Sequence, residues 1–592
     1  MRMFVLVAAL LLGVGIGGLA TADSRGDAGA MKTLNNFVTE LLCVPSIESD
    51  SEEFTFVTSR TGWVFVALQG QEGSPKAVLD SRQDALVWRV HPVTKAAEAM
   101  QWLAEGGHRL RVESAKGMRL DVRAIPEIAF CYYPDFPHIA VYGPYNWAYA
   151  ERYVLSDVNT LITRSELKPE EFNQWVREGR KWVSNAGLLG LGSAKAPSAD
   201  EVYQTWATNV GMTQAGFGGI MVDEFGGSPA EHYRAWGEAV RRLHDNSSFA
   251  GRSFYAWCGN LFDEKPSLDF SRLLADAASA DCGYRFSWEK YLREEPSQEK
   301  AEALIRDDLL RDLKAWQAAM PGIERHMVMC LGYLSAPPES LNLNPGVDYH
   351  VFMDMQFHFL ATEPAFDGLF GIMEYMAAYA DEESLRYAQK LLRHYCIEGN
   401  RERFNNDPYL LPHLKNPDFA DGLNEWRVEP GEEGTIAGKN MKGFSWLQGR
   451  YPETRQGDTF CLMKRSAKGP NRVSQTLRSL TPGRLYSLKL LSANLQQLDQ
   501  NQRTTLSFEF KDAEIEKGFD FQFVVPSCYS HEVKPYTKDH PAHFSWHRLV
   551  FRPTKDTAEL TISDWAADDA PGGALGAETA FNFVEVQAFV EP

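Results

Sequence analysis

The run Gly218-Gly219-Ile220-Met221-Val222-Asp223-Glu224-Phe225-Gly226-Gly227 constrains this chain more than any other stretch. Its apolar, β-branched centre predicts a strand buried on both faces, as in a parallel sheet, and its far end carries two adjacent carboxylic acids. Ser228-Pro229-Ala230-Glu231 follows and reads as a capping-box serine, a proline at the first helical position and the reciprocal glutamate. Tyr233, Trp236, Val240 and Leu243 then share one helical face. A strand that ends in acids and hands over to a helix presents polar groups along one edge of a parallel sheet.

The same alternation extends from residue 129 to about 410. The candidate strands are 139–142, Thr160–Thr163, 187–191, 219–224, Ser253–Cys258, 280–286, 326–331 and 368–374. Between them lie helices with readable ends. Pro169 opens one whose Phe172, Trp175, Val176, Trp182 and Val183 form a stripe, closed by Gly187. Ser198 and Glu201 predict a second capping box, ahead of Val202, Trp206 and Val210, with Gly211 as terminator. Eight strands with helical crossovers over roughly 275 residues match a (β/α)8 TIM barrel in count and size. An open doubly wound sheet is the alternative, but no GxGxxG follows any of these strands.

At 592 residues the chain is too long for one core. Residues 51–128 carry strand signals separated by Gly- and Ser-containing turns, for example Trp63-Val64-Phe65-Val66-Ala67-Leu68, and predict a small β-sandwich. That domain reads either as an accessory sugar binder or, preferred here, as a packing domain that buttresses the barrel. Ahead of it, Leu34 to Leu42 reads as a short amphipathic segment. Residues 416–592 alternate apolar and polar, as in Leu506/Phe508/Phe510, Leu560/Ile562 and Val584/Val586, the period of a half-buried antiparallel sandwich.

Residues 1–22 have the pattern of a secretory signal peptide: Arg2, an apolar run from Met3 to Leu12, and Ala20-Thr21-Ala22 as the cleavage site. The expected location is therefore secreted, periplasmic or cell-surface, with no transmembrane segment in the mature chain. The eight cysteines are dispersed, so neither a disulfide framework nor a zinc site is expected, and no metal ligands are assigned. A formal charge of −19 repels phosphate backbones and anionic membranes, which excludes nucleic acid as a natural partner.

Acids at the C-terminal ends of barrel strands share one pocket, and glycosidic bond cleavage needs two carboxyl groups, one protonated and one charged. The candidates are Glu224 and Asp223 on the fourth strand, Glu289 on the sixth and Glu374 on the eighth. Strict alternation would send Asp223 and Glu224 to opposite sides. Tyr142, Tyr145 and Trp147 after the first strand, Trp257 and Asn260 after the fifth, and Tyr333 after the seventh are candidate sugar-binding groups; Trp147 reads equally well as the start of a buried helical face.

Two resemblances follow from these residues. Asn416-Pro417-Asp418-Phe419, Asp421-Gly422-Leu423, Trp426, Leu480-Thr481-Pro482-Gly483, Trp546 and Phe581-Asn582-Phe583-Val584-Glu585-Val586 resemble CenC-type carbohydrate-binding modules. That resemblance implies a galactose-binding-like jelly roll that contacts carbohydrate, often with a structural Ca2+, for which no ligand set is assigned. Trp446, Tyr451 and Trp565 are its candidate stacking residues, with a core role as the alternative. The central block is similar, at superfamily level, to secreted (β/α)8 glycoside hydrolases, several of which pair acids on strands four and six. It departs from the clan that pairs strands four and seven, because strand four reads Asp-Glu and strand seven ends Leu331-Gly332-Tyr333; the chitinase-type DxxDxDxE run is also absent. The resemblance implies an O-glycosyl hydrolase acting on a poly- or oligosaccharide by carboxylate acid/base chemistry, with no cofactor for catalysis. The alternatives are a non-catalytic glycan-binding scaffold and a deacetylase or esterase, the latter disfavoured by the lack of GxSxG and of clustered metal ligands.

Overall fold

The computed structural model describes residues 31–70, 75–80, 84–133, 145–164, 168–277, 283–375 and 379–592. Residues 1–22, where a signal peptide is expected, lie outside them. Eight parallel strands close into a barrel: β1 (Glu127–Cys131), β2 (Thr160–Thr163), β3 (Lys181–Ala186), β4 (Gly219–Phe225), β5 (Ser253–Cys258), β6 (Tyr284–Lys290), β7 (Met327–Gly332) and β8 (Gly371–Tyr375). β1 pairs with β8 through Phe130 opposite Glu374, which closes the ring. Among the described residues no helix is long and apolar enough to cross a membrane.

Several local expectations are corrected. Strand pairing begins at Lys32, and Thr39–Val44 is a strand where an amphipathic segment was expected. The first barrel strand is Glu127–Cys131 rather than 139–142, a stretch outside the described residues. The third is Lys181–Ala186 rather than 187–191, so Trp182 and Val183 belong to a strand and the Pro169 helix stops at Arg177. Trp182 still packs on Phe172, now from strand to helix, which is why the stripe looked continuous. After β4, Pro229 itself caps the helix Ala230–Asp245 and no side-chain cap bond forms, while Glu231 pairs with Arg234. The Ser198/Glu201 capping box does form, but that helix ends at Ala207 and Gly211 lies inside a separate turn of helix, Val210–Thr213.

The N-terminal strands form a six-stranded and a three-stranded antiparallel sheet around Val64, Val66, Leu68, Leu110, Val112, Leu120 and Val122. The opposite face of Gly62–Gln69 turns Trp63 and Phe65 into the core shared with the barrel. One strand buried on both sides explains its unbroken apolar run. The C-terminal region is a two-sheet antiparallel sandwich packed around Phe419, Val473, Leu488, Leu560, Ile562, Phe581 and Val584.

The floor of the barrel is held by a buried charge pair. Glu127 on β1 accepts from Lys181 Nζ on β3 at 2.7 Å and from the Tyr255 hydroxyl on β5 at 2.7 Å. Burial would raise this carboxyl, yet Lys181 and Tyr255 hold it below its ordinary range. Such a group stabilises the fold above the ordinary glutamate range and loses that contribution as pH falls through its depressed value. Lys181→Met is expected to lower stability by ~3–5 kcal/mol at neutral pH, because it strands a buried carboxylate. Urea denaturation of both proteins checks this, and the gap should narrow as pH drops below that range.

Candidate functional site

Strand parity decides which acids meet. On β6, Trp288 packs outward against Trp316, so Ser287 and Glu289 face the barrel axis. On β4, Ile220 lies against the outer helix at Gly211, which turns Met221 and Asp223 inward. Regular alternation would then bury Glu224 among the helices. A bulge intervenes: the register with β5 slips between Val222 and Phe225, and Glu224 adopts φ of +70°. Phe225 takes the outward place, stacked on Phe270 with centroids 5.0 Å apart and edge-on to Trp236. Glu224, the extra residue, is exposed at the rim.

Asp223, Glu224 and Glu289 form one electrostatic cluster. Burial, and then the charges of Glu224 and Glu289, push Asp223 up to about 6; Arg164 and the Glu224 backbone N–H act in the opposite sense. Burial also raises Glu289, reinforced by Glu224 and Glu339, while Tyr291 and Trp257 pull it back. The acids are walled by rings. Trp257 and Tyr379 stand edge-on to Tyr375 at 5.2 and 6.0 Å, and Tyr291 lies parallel to Tyr375 at 6.0 Å. Gly332 makes room for Tyr291, since a Cβ there would sit 2.5 Å from its ring. On the other side Asn185 Nδ2 donates to the Tyr133 hydroxyl at 3.4 Å. Burial first, with Cys131 and Asp223 adding, keeps that phenol well above its ordinary value, so it stays a neutral donor.

The remaining sequence candidates do not join this cluster. Glu374 points outward on β8, between the inward-facing Met373 and Tyr375; its carboxyl is fully buried, both oxygens lack a hydrogen-bond partner among the described residues, and burial lifts it well above the usual range. Tyr333 is buried on the helix side, stacked on Tyr349 at 5.4 Å. Asn260 is committed to packing, donating to Asp312 at 3.0 Å and accepting from the Trp288 indole at 3.0 Å. Trp147 is core, stacked on Trp182 at 6.1 Å, and Tyr145 donates to the Ala380 carbonyl at 3.0 Å. Tyr142 lies outside the described residues. Of the ring candidates, Trp257 lines the acids.

Sequence reasoning missed Tyr133, Asn185, Tyr291, Tyr375 and Glu339. Parity would have found Tyr375, since it falls two residues beyond Met373, whose Sδ meets Cys131 Sγ of the neighbouring strand β1 at 3.7 Å. Glu339 carries no strand-end signal, because it sits on the hairpin Ser335–Ala336/Glu339–Ser340 after β7. The described residues that could together ligate a metal, Glu40, Cys43 and Asp121, lie on the N-terminal sheet, where Asp121 is already paired to Arg119 at 2.7 Å.

No protein-family model matches the chain, and no curated protein sequence matches it. Among solved structures, a GH2 β-galacturonidase from Eisenbergiella tayi bound to galacturonate is 9% identical, with 60% of this chain and 89% of that one covered and a TM-score of 0.30. Xylanase10C from Cellvibrio japonicus, in complex with xylopentaose, is 9% identical, with 63% and 96% covered and a TM-score of 0.27. The module TmCBM61, in complex with β-1,4-galactotriose, is 14% identical, covering 30% of this chain and 98% of its own, with a TM-score of 0.17. At these identities and scores the likeness assigns no activity to this chain.

Because Glu224 is one cause of the raised Asp223, Glu224→Gln should move the Asp223 midpoint downward from about 6. Carboxyl-carbon NMR titration of Asp223 in both proteins checks the direction; an unchanged midpoint would separate the two side chains.

Proposed function

We propose that this protein is a glycoside hydrolase that cleaves a poly- or oligosaccharide, with Asp223 as proton donor and Glu289 as its charged partner. The observation that carries this reading is the pair of inward-facing acids at the ends of β4 and β6, coupled through Glu224 and walled by Trp257, Tyr291 and Tyr375. A glycosidic oxygen needs a protonated acid on one side and a carboxylate on the other. Asp223 has the environment of the donor, since burial and two like charges keep its proton to about pH 6. Burial raises Glu289 as well, but Tyr291 and Trp257 offset part of that by favouring its charged form, and this suits it to the partner's role. Tyr133 and Asn185 supply neutral donors for sugar hydroxyls beside the acids.

The C-terminal sandwich fits the role of an attached carbohydrate-binding module, and the basic and apolar leader in residues 1–22 fits export from the cytoplasm. Tethering a sugar-binding surface to a catalytic barrel raises the local concentration of a polymeric substrate. No cofactor is required by this chemistry, because both proton transfers are made by side chains.

Screening purified protein on aryl-glycosides and polysaccharides tests the reading. Asp223→Asn and Glu289→Gln should each lower turnover by roughly 10²–10⁴-fold, whereas Glu374→Gln should leave kcat within about twofold. The Asp223→Asn loss should shrink on substrates with activated phenolate leaving groups, which need little protonation. Turnover of the natural chain should fall as pH rises through about 6, when Asp223 gives up its proton. Sugar binding without turnover on the whole panel would leave a non-catalytic lectin instead.

A further inference from the structure

Beyond the acid cluster, three rings of the C-terminal sandwich gather at the edge of the barrel mouth. Trp446 and Tyr529 stack at 3.9 Å and 18°, Tyr451 lies 5.8 Å from Tyr529 at 13°, and Trp446 and Tyr451 are 6.2 Å apart at 22°. Trp446 and Tyr529 are therefore stacked face to face, with Tyr451 parallel to both and offset beside them. Tyr451 is 38% exposed, and Trp446 and Tyr529 are half-buried, so part of this aromatic surface meets solvent.

The surface is continuous with the acids through the hairpin after β7. Ser335 and Ala336 donate their backbone N–H groups to the Tyr379 carbonyl at 2.9 and 3.0 Å, and the Tyr379 ring packs against Tyr375, which packs against Trp257. At its other end the hairpin pairs with the sandwich: Ser340 N donates to the Gly449 carbonyl at 2.7 Å and Tyr451 N to the Ser340 carbonyl at 2.7 Å. Glu339 sits between, half-buried, with the Tyr529 hydroxyl beside it and its charge felt by Glu289, Tyr375 and Tyr379.

We propose that Trp446, Tyr451 and Tyr529, together with Glu339, form a distal sugar subsite of the barrel's own cleft, at which one ring of an extended oligosaccharide lies flat. The apolar C–H face of a pyranose packs on the open face of an aromatic ring, whose negative π-face attracts those hydrogens. The Glu339 carboxyl beside the stack can hydrogen-bond to ring hydroxyls. The sandwich then also acts as a wall of the catalytic cleft. This rests on the hydrolase reading for what lies in the cleft, but its test does not need turnover.

Full-length protein carrying Glu289→Gln is titrated with linear gluco-, xylo- and galacto-oligosaccharides of two to six units by isothermal calorimetry, with and without Tyr451→Ala. A second variant, Glu339→Gln, leaves the ring stack intact and guards against a folding defect. Both should weaken the longest bound oligosaccharide by about tenfold, equivalent to about 1.4 kcal/mol, and leave the shortest unchanged. Equal losses at every length, no loss at any length, or no binding of any of these sugars overturns the subsite. Length-dependent binding with no hydrolysis by wild-type protein would uphold it while sinking the hydrolase assignment.

Discussion

One buried lysine holds the barrel and the sandwich together. Lys489, on the strand Tyr486–Asn494, reaches Asp381 at 3.4 Å and Glu383 at 3.1 Å, just ahead of and within the helix that follows β8. Burial would raise Asp381, yet Lys489 and Arg548 keep it well below the usual carboxylate range. Burial pushes the nearby Glu585 up to about 7, and it accepts from Asn342 of the barrel at 2.9 Å. Arg548 adds a contact to Glu382 at 2.7 Å. Charges this deeply buried are costly unless each finds its partner, so the geometry between the two domains is set within narrow limits. The loops after β7 and β8, and with them Tyr375, Tyr379 and Glu339, inherit that position.

The barrel was legible because its strands are short apolar runs and its helices announce their ends. Ser253–Cys258 is apolar enough, and flanked sharply enough, for its limits to be read directly. The first and third strands were not. β1 opens with Glu127 and β3 with Lys181, charged residues that argue against a buried strand until they are seen to neutralise one another across the barrel. A pair separated by 54 residues leaves no local trace. Trp182 and Val183 also continue the phase of the preceding helix, and only the tertiary arrangement shows that two different elements share that packing.

The site was legible in part for a related reason. Acids at strand ends are easy to find, but their direction depends on parity and on whether the strand stays regular. Parity removes Glu374, which faces the helices with its carboxyl buried and unpartnered among the described residues. Irregularity rescues the Asp223-Glu224 pair: regular alternation sends neighbours to opposite faces, and the bulge frees Glu224 to stand at the rim while Asp223 faces inward. Positive φ at a non-glycine residue is strained, and its occurrence beside a raised carboxyl fits the tendency of strain to collect at functional positions.

Gly449 shows how closely the domains are fitted. Its φ of +83° and the absence of a side chain let the main chain approach Pro338, whose carbonyl oxygen would lie 2.1 Å from any Cβ placed there. The hairpin bearing Glu339 is thus laid directly upon the backbone of the sandwich. Residue 416 marks a change of sequence character, yet backbone bonds such as Ser340 N to Gly449 O join the two sides of it. Swapping the whole module for a foreign one would strip this hairpin of the backbone bonds that it shares with Gly449 and Tyr451.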